Sequence, residues 1–136
     1  MKKLIRLETV VPLLLSVYLL NFLPMNFSWW VWILIFLLPD SSMIGYLLSD
    51  KIGAFSYNLF HHQLVAVMVA ALGLMLSSSY LELAGLVMLG HSSLDRMMGY
   101  GLKLEQGFSF THLGRIGKPE DAPNGNENDN GLADLY

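Results

Sequence analysis

Four apolar stretches, separated by only a few residues each, leave this chain little freedom in how it can fold. They run roughly over 4–23, 28–48, 57–76 and 80–98. Each is near the ~20 residues an α-helix needs to cross ~30 Å of hydrocarbon. Hydrocarbon offers backbone amides no partner, so a segment placed there must satisfy its own hydrogen bonds as a helix. The connections are short: Leu23 to Phe27, Ser49 to Ser56 and Ser77 to Ser79. Short connections make sequence neighbours antiparallel. The expectation is therefore all-α, an integral membrane four-helix up-down bundle.

Composition agrees. Of the 136 residues 54% are hydrophobic and 14% charged, whereas a soluble domain carries about a quarter charged residues. The net charge of -3 is unevenly placed, since Glu120, Asp121, Glu127, Asp129 and Asp134 face only Lys118 in the last nineteen positions. That stretch, 118–136, is rich in Pro, Asn, Gly, Asp and Glu and reads as a disordered acidic tail. Residues 99–117 mix glycine, aromatic and polar residues and read as a cap folded against the end of the helices, so the domain is 1–117. No face clusters lysine and arginine as a nucleic-acid surface would. With no cysteine, disulfides, thiolate metal sites and a cysteine nucleophile are excluded.

Orientation follows from the cations. Lys2, Lys3, Arg6, Lys51, Arg96, Lys103, Arg115 and Lys118 are all eight of the basic residues, and they fall on one side of the expected topology. The positive-inside rule puts that side, and both termini, in the cytoplasm of a multi-pass protein of the cell (inner) membrane. Trp29, Trp30, Trp32 and Tyr80 then lie at the outer interface. Lys2 and Lys3 before an apolar run also begin a signal peptide. The run continues through Asn21-Phe22-Leu23 with no small-x-small cleavage site, so it reads as a retained helix.

An ionised side chain inside a span costs about 2.5–3.5 kcal/mol on insertion scales, so each one asks for a reason. Apart from Glu82 at the outer edge, they gather in the cytoplasmic half. Glu8 opens the first stretch, Asp40 follows Pro39 in the second, and Asn58, His61 and His62 begin the third. His91, Asp95 and Arg96 close the fourth, with His91 and Asp95 on one helical face at i, i+4. Proline distorts a helix, and such distortion is tolerated in membranes where the backbone is buried in protein or wet. Two imidazoles and two carboxylates from different helices form a mixed nitrogen and oxygen set suited to zinc, iron or manganese. Arg96, Lys103, Glu8 and Asn58 are the candidates to bind substrate. The plainer reading is that these groups hydrogen-bond helices together at about 0.6 kcal/mol each.

Other motifs carry less. Gly99-Tyr100-Gly101 follows Met97 and Met98 rather than the Thr-Val of a potassium filter, and reads as a turn. The eight methionines are scattered and read as packing. His62 points about 100° away from His61 on a helix.

Taken together, Arg6-Leu7-Glu8, Pro39-Asp40 with Ser42-Met43 and Gly45-Tyr46, Tyr57-Asn58 with His61, His91 with Asp95-Arg96, Gly99-Tyr100-Gly101-Leu102-Lys103, and Thr111-His112-Leu113-Gly114 resemble a bacterial membrane family, domain of unknown function 4260. The resemblance covers roughly 6–117 and carries no activity with it. It implies that His61 rather than His62 faces inward, and that His112 brings the segment after the fourth helix into the site.

Three readings follow. The first is a membrane-embedded, metal-dependent enzyme, hydrolase-like, acting on a lipid or other amphiphile of the bilayer. In it Asp40, His61, His91, Asp95 and His112 are ligands or acid–base groups, and Arg96 and Lys103 steer an anionic group. The second is a small proton-coupled transporter, which with four helices requires a homo-oligomer. The third is a non-catalytic accessory or scaffold protein of the membrane.

Overall fold

The structure, a computed structural model, describes residues 4, 7–104, 109–111 and 114–116. Among these residues it is all-α apart from one short antiparallel pair of strands. Helix α1 covers Val10–Leu20 and α2 covers Trp29–Leu37, and a 3-10 helix over Leu38–Leu47 continues α2. Then come α3 (Asp50–His61), α4 (Gln63–Met75) and α5 (Ser79–Met98). Strands β1 (Phe110–Thr111) and β2 (Gly114–Arg115) pair antiparallel.

Two of the four expected stretches are built differently from a plain helix. The second changes to 3-10 winding at Leu38, with Pro39 in its first turn. Proline lacks an N–H and its ring crowds the preceding turn. The ten residues of 3-10 helix that follow far exceed the usual three or four. The third stretch starts earlier than 57 and does not run straight to 76. Ser49 caps α3 by accepting from the Ile52 amide at 3.2 Å, so the presumed loop 49–56 is mostly helical. At His62 the backbone becomes extended (φ -83, ψ 113), and α3 and α4 meet at 52°.

These changes alter the inventory of spans. Trp29–Leu47, 19 residues, is long and apolar enough to cross a membrane, and the bent pair α3 and α4 passes the same test as a broken span or re-entrant loop. The 11 described residues of α1 are too few to cross alone. Helix α5 has the length but carries Glu82, Asp95 and Arg96. Four uninterrupted spans are therefore not found among the described residues.

What α5 does instead is hold the centre. It packs against α1, α2, α3 and α4, and nine consecutive residues, Gly85 to Ser93, are buried on every side. Close approach requires small residues. A Cβ on Gly85 would collide with the backbone of Ala66 and Ala70 in α4, and one on Gly90 would sit 2.6 Å from the Ser16 hydroxyl of α1.

The interior is as polar as it is apolar. Among the described residues, seven hydrophobic residues are buried beside nine polar or charged ones, including His61, His91, Ser92, Ser93 and Lys103. The outside is apolar, with Leu47, Met75 and Trp29 each more than three-quarters exposed.

Gly85 tests the packing by the sign of its effect. Glycine to alanine in an open helix interior stabilises by roughly 0.5–1 kcal/mol. Gly85→Ala, meeting fixed backbone, should instead destabilise by about 1–3 kcal/mol and lower the thermal midpoint of the purified protein.

Candidate metal centre

The site begins with two helical pairs and one distorted turn. His91 and Asp95 stand one turn apart on α5, as do Tyr57 and His61 on α3. Asp40 comes from the 3-10 helix just after Pro39. The helix break at His62 follows His61 immediately, and α4 leaves at 52° to α3.

Four side chains converge. One ligand atom from each of Asp40, His61, His91 and Asp95 can be chosen so that all lie within 4.8 Å of one another. His91 Nε2 is 3.1 Å from Asp40 Oδ1 and 3.9 Å from Asp95 Oδ1. His61 Nε2 is 3.5 Å from Asp40 Oδ1 and 3.5 Å from Asp95 Oδ2. Ligand atoms bound to one tetrahedral ion at about 2.0–2.2 Å stand about 3.3–3.6 Å apart, so the spacing fits a metal centre.

The tautomers follow from what lies behind the rings. His91 Nδ1 is 2.8 Å from the Phe36 carbonyl, and His61 Nδ1 is 2.9 Å from the Tyr57 carbonyl. A carbonyl only accepts, so each Nδ1 carries the proton and donates it. A neutral ring must then present the Nε2 lone pair to the centre, facing carboxylate oxygens that also only accept. His61 Nε2 is buried without a hydrogen-bond partner among the described residues. Four acceptors with no donor between them repel unless a cation or an added proton joins them.

The surrounding groups hold the four in place. The Tyr57 hydroxyl donates to Asp95 Oδ2 at 2.9 Å, and its ring stacks on His61 with centroids 3.8 Å apart. The Lys103 ammonium lies 5.2 Å over the Tyr57 ring. Burial pushes the Lys103 amine below the usual lysine range, and the nearby Asp95 charge draws it back up. Hydrogen bonds of this kind orient ligands and tune their basicity.

A family model described as Domain of unknown function (DUF4260) matches residues 2–116. The chain belongs to that family. Comparison with curated proteins and with solved structures finds no match.

Within this family member, the other expected site residues fall in different places. His61 is buried and His62 exposed, as expected. Glu8 is exposed and stands outside the four-residue group. His112 lies outside the described residues. Arg96 Nη1 donates to Gln63 Oε1 at 3.2 Å, and Gln63 Nε2 donates to Ser93 Oγ at 3.0 Å. Asn58 grips the backbone of the returning chain. Its Nδ2 donates to the Lys103 carbonyl at 2.7 Å, and its Oδ1 accepts from the Lys103 amide at 2.7 Å.

That return is made possible by Gly99. It adopts φ 95, and the amides of Gly99 and Tyr100 close α5 onto Arg96 and Asp95 carbonyls. Beyond the turn, Lys103 lies against Asn58 and over the Tyr57 ring of α3. The sequence reading missed Tyr57 as a supporting residue, although its i, i+4 spacing to His61 was visible. It also missed Gln63, which has no local signal, and the Phe36 carbonyl, which has none at all.

The Asn58 clamp has a local readout. Its two hydrogen bonds contribute roughly 1 kcal/mol each, so Asn58→Ala should speed amide exchange at Lys103 at least about tenfold. Exchange in the buried centre of α5 should change far less, as followed by hydrogen–deuterium exchange mass spectrometry.

Proposed function

We propose that the chain is a multi-pass membrane protein and a metal-dependent enzyme, hydrolase-like, with its site at the cytoplasmic end of the helices. The observation that carries the metal reading is the inward presentation of two imidazole lone pairs and two carboxylates, with no donor among them. A membrane setting is supported by the apolar exterior around a polar interior. The basic residues Lys51, Arg96 and Lys103, all from the cluster's end of the chain's topology, favour the cytoplasmic side.

Zinc, iron or manganese suit this donor set, and an ion held there would act as a Lewis acid toward an oxygen of the substrate. His61, His91, Asp40 and Asp95 would hold it. The Phe36 and Tyr57 carbonyls would fix the ring tautomers, and the Tyr57 hydroxyl would keep Asp95 Oδ2 occupied and its carboxylate oriented. A small cleft touching His61 and Asp95 gives the cluster one open side, which a purely structural ion does not need.

One distance favours a second reading. His91 Nε2 and Asp40 Oδ1 are 3.1 Å apart, close enough to share a proton directly, as a proton-coupled transporter would use. The two readings separate on metal content.

Wild-type protein purified in detergent after loading with zinc, iron or manganese should hold about one ion per chain by inductively coupled plasma mass spectrometry. His91→Ala and Asp95→Asn should lose it, whereas His62→Ala should keep it. Tyr57→Phe should retain the ion but with affinity lowered about 10–100-fold, as removal of an orienting partner usually does. Folded wild-type protein that takes up no ion under any loading condition would sink the enzyme reading and leave the proton relay.

A further inference from the structure

Arg96 is half-buried at the end of α5, immediately after a proposed metal ligand. A guanidinium has five N–H donors in a rigid fork. Among the described residues Arg96 uses one of them, to Gln63, and pairs with no carboxylate. The nearest acidic neighbour in sequence, Asp95, is turned instead toward the two histidines and Tyr57. A half-buried guanidinium with open donors and no carboxylate partner among the described residues is a ready receptor for an anion from outside.

The place for that anion is the cleft. Tyr57, His61, Asp95, Arg96 and Tyr100 line it, so Arg96 and two members of the cluster border one space. The cleft is small, and its empty space of about 150 Å3 includes open solvent at the mouth. A space this small accepts the end of a molecule and not its middle. The two carboxylates of the cluster balance a divalent ion, which leaves the Arg96 charge to be met by the incoming group.

We propose that this cleft is a binding site for the terminal phosphate of a phosphate monoester, held between Arg96 and the metal centre. This rests on the metal reading above. A terminal phosphate has three free oxygens on one atom, enough to fill a two-pronged guanidinium contact and still reach the cluster. A carboxylate has two, and would have to give up the fork to reach across. A phosphodiester is flanked on both sides and does not fit an end-on cleft. Gln63 is the positioning residue, holding Arg96 through Nη1 and itself anchored on Ser93.

The test uses full-length protein loaded with manganese in a phosphorus-free detergent, with inorganic phosphate as probe. Manganese content is measured first. Bound manganese should broaden the phosphorus-31 resonance of phosphate, and Arg96→Gln should weaken that binding about tenfold or more with manganese content unchanged. Arg96→Lys, which keeps the charge and loses the fork, should fall between the two. Protein that holds manganese yet binds phosphate equally well with and without Arg96 overturns the phosphate site and leaves the metal reading standing. Acetate displacing phosphate as effectively as a soluble phosphate monoester overturns it too. Folded protein that holds none of manganese, zinc and iron overturns both. Competition by phosphatidic acid in mixed micelles, with none by phosphatidylglycerol, would identify a lipid monoester as the source. Competition by glycerol phosphate alone would identify a water-borne one. Either supports the site.

Discussion

Two imidazole nitrogens and two carboxylates, each drawn from a chain that has few polar groups to spare, face one another across less than 5 Å. Around that cluster most of the architecture can be understood as support. Burying acceptors against acceptors is costly, and the arrangement persists only where something positive completes it and the surroundings forbid the rings from turning away. The second condition is met by backbone. Carbonyls of Phe36 and Tyr57 hold the outer nitrogens of His91 and His61, and both carbonyls belong to helices that α5 packs against.

The irregular features of the fold serve the same end. A straight second helix would carry Asp40 on regular α geometry, and the 3-10 winding after Leu37 changes where that carboxylate points. A straight third helix would continue past His61, and the 52° turn at His62 leads the chain away. Positive φ at Gly99 reverses the chain so that Lys103 returns to Asn58 and lies over Tyr57. Each departure from regular helix lies within a few residues of a member of the cluster or of its supports. Local rules are most often broken where a site demands it.

Burial in this molecule is arranged around α5 rather than around an apolar core. Serines at 16, 92 and 93 are almost wholly enclosed, and the glycines at 85 and 90 let neighbouring helices come close. Small residues at contacts and large apolar residues outside are what helices packed in lipid require, because lipid gives no hydrophobic reason for helices to associate. The polar cluster and the centre of packing meet on α5.

Much of this was legible in the residues themselves. Helical content follows from long apolar stretches joined by short connections, and Asp40, His61, His91 and Asp95 stand out because ionisable groups are rare in such stretches. Spacing at i, i+4 placed His91 with Asp95, and the same rule would have placed Tyr57 with His61. What the residues could not disclose was where the helices stop being straight. No glycine or proline stands at His62 to mark the turn, and proline at 39 predicts a distortion without its extent. Those details, with the carbonyls that orient the imidazoles and the cleft beside Arg96, arise only when segments distant in sequence meet. A backbone carbonyl has no sequence signature, and the direction in which a lone pair points is decided by whatever the tertiary fold sets behind it.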